Sequence, residues 1–514
     1  MSAAASQIDI SARRPYHRAV RTKRKLRVAF VTPEVAPYAK SGELADVAAS
    51  LPKALAARGV EVSLYMPLYR QPGVDSLSKV PVLANLAVPL GRDKVRAAVH
   101  RAELGWADLY LIDCPRYFHR EHIYGPSKGA YLDNDERFAF FSRAVLEYMS
   151  RARTAPDIIH CNNWPAALIP VLLKTRYAAR ALFRTTASVL TLHNVAYQGE
   201  FPADSMSLAG LTWNDFAACR LAFDGKFNFL KAGVLFADAV NTVSREYRKE
   251  ILAGEQGPGL AEILKSQGLA LHAIRNGIDT EEWDPGTDPF ITANYGPAAP
   301  DGKRECRRDL LKEFGLSLPE KMPVVGISSY LTRHKGFGLL REAAPALREL
   351  DFGLVVQGRG DEAYEDVFRA LRAGRPDRVG VRFEISPALS HKVVAGSDIL
   401  LAPSLYEPCG LTQLYAFRYG TVPVVRATGG LRETVESVRA SPLRGDGFVF
   451  EEFTPFALTE GLREALDLFG HPKSWRRVMA AGFRKDFSWG PSAGSYIRLY
   501  TRSLNSRRGE GHVR

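Results

Sequence analysis

The sequence predicts an α/β protein of two doubly wound parallel-sheet domains facing each other across a cleft. Three observations predict it. Short runs of strand length are apolar throughout rather than alternating, which marks strands buried on both faces. Segments with apolar residues at helical spacing separate these runs, and the same order of strand, loop and helix restarts near residue 320. At 514 residues the chain is long enough for two or three domains, each with its own core. With 46% hydrophobic and 24% charged residues it is neither a disordered, a collagen-like nor a disulfide-scaffold protein. No run of eighteen apolar residues is present, which excludes a helical membrane span.

The net charge of +13 is unevenly placed. Residues 1–27 hold eight Arg and Lys against Asp9, and residues 505–514 carry a further +2, leaving +4 for the body. Residues 1–25 therefore read as a solvated basic tail, and the charge argues against a nucleic-acid domain or a membrane contact. The tail has no apolar h-region, so it is not a secretory signal. Leu26–Val31 is the first buried strand, ended by Thr32-Pro33. Leu44–Ala57 is a helix closed by Gly59, and Val60–Met66 a second strand. Asp157–His160, Ser188–Leu192 and Ala239–Val243 continue the first domain, assigned to residues 26–270. Val324–Ser328, Gly353–Gln357, Val381–Ile385, Ile399–Ala402 and Val422–Val425 are the strands of the second, assigned to 271–490. The amphipathic segment around Ser492–Leu504 forms a helix over 491–506 that crosses back to the first domain, and 507–514 is a tail. The five cysteines (Cys114, Cys161, Cys219, Cys306, Cys409) lack zinc-ligand spacing, which predicts no metal and a reduced, cytoplasmic setting.

Three loops that follow strands carry candidate chemistry. In Ala39-Lys40-Ser41-Gly42-Glu43 a glycine turn opens a helix, where backbone N–H groups and the helix dipole suit a diphosphate and Lys40 adds a cation; an exposed helix start is the alternative. In Thr191-Leu192-His193-Asn194, His193 at a strand's carboxyl end either donates to substrate or satisfies a neighbouring backbone group. The strongest is Ser404-Leu405-Tyr406-Glu407-Pro408-Cys409-Gly410-Leu411-Thr412. Its turn is broken by two prolines before a helix from Leu411, so the N–H groups of Gly410, Leu411 and Thr412 form a phosphate cradle. Glu407 precedes them, where a carboxylate can hold sugar hydroxyls. A further glycine turn, Thr428-Gly429-Gly430-Leu431, also follows a strand.

These passages, in this order, resemble the bacterial glycogen synthases and plant starch synthases. The likeness runs from about Val28 to Tyr500 and includes T-P-E-V-A-P-Y-A-K, T-L-H-N-V-A-Y-Q-G, N-G-I-D-T-E-E-W-D-P and E-P-C-G-L-T-Q-L-Y-A. The resemblance implies a retaining glycosyltransferase with two Rossmann-like domains, the GT-B arrangement. Such an enzyme moves glucose from ADP-glucose to the non-reducing end of an α-1,4-glucan in glycogen biosynthesis, with no metal and no cofactor beyond the sugar nucleotide. By motif, Glu407, His193 and Lys335 are catalytic. Glu407 orients glucose, His193 meets the glucosyl group and Lys335 neutralises the departing ADP. Lys40, Gly42, Asn276, Cys409, Gly410, Leu411, Thr412, Gly429 and Gly430 form the binding set.

Several positions depart from the family pattern. Glu43 replaces the second glycine of the first loop, Tyr330 an arginine five residues before Lys335, and Asn163 an aspartate. Ile385 stands where a tyrosine could stack on adenine, and Leu405 replaces the arginine before the F-E-P-C-G motif. Arg333 is near enough in sequence to substitute for the arginine missing at Tyr330. The changes at Glu43 and Ile385 would fit a shifted donor or acceptor, and the change at Tyr330 a weakly catalytic, glucan-binding role.

Overall fold

The computed structural model describes residues 25–126, 129–212, 222–223 and 225–509. The tail before residue 25, Cys219 and the last five residues lie outside that description.

The first sheet is built from β1 (Arg27–Val31), β2 (Glu61–Pro67), β3 (Val80–Leu90), β4 (Asp93–Glu103), β5 (Asp108–Asp113), β6 (Ile158–Asn162) and β7 (Ala187–Leu192). A small antiparallel sheet of β8 (Glu200–Pro202), β9 (Ala222–Phe223) and β10 (Lys226–Asn228) follows, then β11 (Ala239–Thr242) and β12 (Leu271–Ala273) complete the large sheet. Its order is β12-β11-β7-β6-β1-β2-β5-β4-β3. The strands from β12 to β5 are parallel, whereas β4 and β3 run antiparallel at one edge. This antiparallel edge is an addition to the parallel sheet that the sequence predicts. Its strands are mixed in exposure, with Val80 and Val82 open to solvent, so they lack the continuous apolar run of a doubly buried strand. The sheet also takes β12 as its edge, three residues past the division expected at 270/271.

The second sheet contains β13 (Val324–Ser328), β14 (Gly353–Gln357), β15 (Val379–Arg382), β16 (Ile399–Ala402), β17 (Val422–Arg426) and β18 (Phe448–Phe450), all parallel. The order β15-β14-β13-β16-β17-β18 is that of a doubly wound sheet, with its switch point between β13 and β16. Strand β15 ends at Arg382 instead of continuing to Ile385. Ser386 caps the next helix by accepting from the Leu389 N–H, and Pro387 starts it, so the chain must leave the sheet earlier.

The chain then returns. Trp489, Ala493, Tyr496, Tyr500 and Leu504 form one stripe of the helix Trp489–Arg508, and all five are buried in the first domain's core. Tyr500 binds His160 on β6, and the Trp489 indole donates to Ser50. The carboxyl ends of β1, β6 and β7 thus face those of β13 and β16.

Candidate functional site

On the second domain's side, β16 delivers a loop that Pro403 and Pro408 hold out of helix. Glu407 is almost wholly buried there, and its Oε2 accepts from Ser404 Oγ at 3.0 Å and from Lys335 Nζ at 2.8 Å. Lys335 ends the short turn Arg333–Lys335 after β13. Gly336 follows with φ +79°, and a Cβ there would lie 2.0 Å from the Pro403 carbonyl oxygen; only glycine allows that approach. The Leu405 N–H donates to the His334 carbonyl, tying the two loops together. Burial alone would push the Lys335 ammonium down. The carboxylates of Glu407 and Glu43 more than offset that and hold it above the ordinary lysine range, so it stays charged.

On the first domain's side, the loop after β1 is organised by Glu34, which is 3% exposed. Its carboxylate accepts from the N–H groups of Ser41 (2.7 Å) and Gly42 (3.2 Å), from the Ser41 hydroxyl and from Tyr124. Lys40 is bound by both oxygens of Asp46, at 2.6 and 2.8 Å. Glu43 begins the helix Glu43–Ala57 and reaches across the cleft to Lys335 at 2.8 Å.

His193 follows β7 and is 7% exposed. Asn162 donates its amide to the Val31 carbonyl, which turns its Oδ1 toward His193 Nε2 at 2.9 Å. That arrangement assigns the proton to Nε2 and leaves Nδ1 as an acceptor. Burial pushes the imidazole down to about 3, so it is neutral at working pH. Asn163 adopts φ 55° and accepts from the N–H groups of His193 and Asn194. Both contacts need only a carbonyl oxygen, and asparagine tolerates the left-handed region. The change from aspartate is therefore absorbed at this position.

The glycine turns differ in what occupies them. The Gly42 N–H is bound by Glu34, and the Gly429 N–H by Glu250 Oε1 at 2.7 Å. Among the described residues, the N–H groups of Gly410, Leu411 and Thr412 meet no acceptor. Their helix begins at Thr412, one residue later than expected, with Gly410 at φ +67°. Gly429 and Gly430 support the Glu407 loop sterically. A Cβ on Gly429 would lie 2.0 Å from the Glu407 carbonyl oxygen, and one on Gly430 1.9 Å from that of Cys409. Cys409 is buried, and the Asn276 backbone N–H points at its sulfur. The Asn276 side-chain oxygen is buried without a partner among the described residues.

Tyr330 follows β13 within electrostatic reach of Lys40, Glu34 and Asp46 across the cleft. Arg333 is exposed. Ile385 is exposed as well. Arg426 of β17 donates to the carbonyl of Leu405 at 2.6 Å, which brings a guanidinium beside the position where arginine is missing. Glu34, Glu250, Asn162 and Arg426 were not singled out by sequence reasoning. Only Glu34 carried a signal, an acid near the first strand's end and eight residues before Gly42.

The domains also meet away from the centre. Glu250 accepts from Thr428 as well as Gly429, the Arg245 N–H donates to Glu433, and Lys53 pairs with Asp279 and Glu281. Among the described residues, no group of three His, Cys, Asp or Glu is placed to hold a metal ion, and no helix is long and apolar enough to cross a membrane.

Comparison with known proteins adds to this geometry. The starch synthase catalytic domain model matches residues 27–266, and the glycosyl transferases group 1 model matches residues 311–478. The chain is 43% identical over 485 residues to a glycogen synthase of Koribacter versatilis, covering 94% of this chain and 99% of that one. It is 42% identical over 477 residues to a glycogen synthase of Myxococcus xanthus, covering 92% and 99%. Among solved structures, the catalytic domain of starch synthase IV from Arabidopsis thaliana, bound to ADP and acarbose, superposes with a TM-score of 0.88 at 31% identity, covering 94% of this chain and all of that one. The sucrose-phosphate synthase of Thermosynechococcus elongatus shares the fold, with a TM-score of 0.59 at 18% identity.

Proposed function

This chain belongs to the glycogen synthase and starch synthase family of GT-B glycosyltransferases, and we propose that it transfers glucose from ADP-glucose to the non-reducing end of an α-1,4-glucan with retention of configuration. One observation carries the reading at the level of the site. The buried Lys335–Glu407 pair stands in the same loop assembly as three N–H groups, on Gly410, Leu411 and Thr412, that meet no acceptor among the described residues. A diphosphate matches such N–H groups, and a carboxylate beside an ammonium matches sugar hydroxyls next to a leaving phosphate.

In this reading the diphosphate lies on the N–H groups of the 410–412 turn, with Lys335 facing its terminal phosphate. Glu407 accepts hydroxyls of the glucosyl unit, and neutral His193 offers an acceptor nitrogen without adding charge. The bond from the anomeric carbon to the diphosphate oxygen breaks with its electron pair going to ADP. Lys335 stabilises the charge that develops there, and preorganised charge of this kind is the largest single contribution in many enzymes. Lys40, held by Asp46, supplies a second ammonium from the opposite domain. Four buried, unpaired cysteines among the described residues fit a reducing, cytoplasmic setting.

The test is transfer of labelled glucose from ADP-glucose and from UDP-glucose to a glycogen primer. Incorporation from ADP-glucose is expected. A preference for UDP-glucose overturns the donor assignment, and glucan binding without transfer from either donor overturns the enzymatic reading.

A further inference from the structure

Lys335 faces two carboxylates rather than one. Glu407 comes from its own domain, while Glu43 crosses the cleft from the other, each at 2.8 Å. The Glu43 side chain is 35% exposed against 12% for Lys335, so it is the member of the trio with room to swing into water. The oxygen of Glu43 therefore sits on the ammonium that the proposed donor's phosphate requires. Asp46 likewise occupies Lys40, so each ammonium at the cleft already faces a carboxylate. A phosphate that takes the place of Glu43 on Lys335 leaves the displaced carboxylate nearby, tethered to the start of its helix.

We propose that Glu43 is a selectivity residue of this site: its carboxylate stands in for phosphate on Lys335 and, once displaced, disfavours free ADP more than ADP-glucose. The difference lies in the ligands. In ADP-glucose the terminal phosphate is esterified, whereas in free ADP it carries an additional ionisable oxygen and more negative charge. A carboxylate held nearby repels the more charged ligand more strongly. Glu43 would thus ease the departure of product while costing some affinity for donor. The inference rests on the donor reading above.

The experiment measures ADP binding by calorimetry, and the KM for ADP-glucose beside the inhibition constant for ADP, in the parent, Glu43→Gln and Glu43→Gly. Glutamine keeps the shape and removes the charge, and glycine removes the side chain altogether. Both variants should bind ADP at least about tenfold more tightly, because each removes a like charge held beside the terminal phosphate. Their KM for ADP-glucose should fall by a smaller factor, so that product inhibition becomes stronger relative to KM. Unchanged or weaker ADP binding in both variants overturns the role of Glu43 and leaves the donor site standing. Equal tightening of ADP and ADP-glucose overturns the selectivity. If no protein of the three binds ADP, the inference and the donor reading fall together.

Discussion

Glu407 and Lys335 form one unit, and removing one member changes the other. Glu407→Ala leaves Lys335 charged but deprives the glucosyl unit of a preorganised acceptor. Turnover should fall at least about a hundredfold, the usual cost of one such contact. ADP binding should hold or tighten, because a carboxylate has left the ammonium. Turnover within a factor of about three of the parent would refute the assignment. Tyr330 is the second decisive residue. A tyrosine cannot reproduce a bidentate charged contact, so in the proposed donor reading Lys335 meets the departing phosphate with less help. We expect slow turnover of ADP-glucose in the parent and at least about a tenfold rise in Tyr330→Arg, since charge-assisted contacts are roughly twice as strong as neutral ones. Fast turnover in the parent, abolished by Arg333→Ala, would show that Arg333 turns inward when substrate binds.

Among the elements, the glycine turns show most clearly what sequence can and cannot convey. All three read alike in sequence, each a turn after a strand at the start of a helix. The structure separates them by what fills them. Glu34 lies eight residues from Gly42 and could be noticed, but Glu250 lies 179 residues from Gly429, and only the assembled cleft brings them together. The doubly buried strands were legible because their apolar runs need both faces covered. The antiparallel edge was not, because half-exposed strands such as Val80–Leu90 carry a weaker pattern. Motif singled out Lys335 and Glu407, which the structure pairs, whereas the bond from Glu43 to Lys335 depends on how two domains meet. The glycine pair also supports a prediction. Gly430→Ala would drive a methyl group into the Cys409 carbonyl and push the Glu407 loop away. Overpacking of this kind costs about 1–3 kcal/mol, so thermal unfolding should begin several degrees lower. Turnover should drop with it, and an unchanged melting temperature with full activity would show that the loop can yield.

For the whole molecule, three histidines lie where the parts of the chain join. His160 holds the returning helix through Tyr500 and bonds Thr191, His193 sits at the end of β7, and His334 stacks on Tyr406 in the opposite domain. Burial pushes all three below the ordinary histidine value, His193 to about 3, His334 to about 4 and His160 well down. The sign follows from linkage. Between those values and about 6.5 the unfolded chain binds protons that the folded protein refuses, so the histidine contribution to stability is complete above about pH 6.5 and is lost as pH falls. Each such histidine contributes a slope of about 1.4 kcal/mol per pH unit within that window. Glu34 and Glu250 act in the opposite direction, because burial lifts their carboxyls and the folded protein then takes up protons first. The parent profile is therefore a balance, and a substitution isolates the histidine part. Urea unfolding at pH 7.5, 6.5 and 5.5 should show that His160→Gln is less stable than the parent at every pH, through its lost bonds to Tyr500 and Thr191. The gap should change little between pH 7.5 and 6.5 and narrow by about 1 kcal/mol between pH 6.5 and 5.5, approaching the limiting slope of about 1.4 kcal/mol per pH unit. A gap that stays constant from pH 7.5 to 5.5 would mean that His160 accepts its proton in the folded protein, and that the join between β6 and the returning helix has room for a charge.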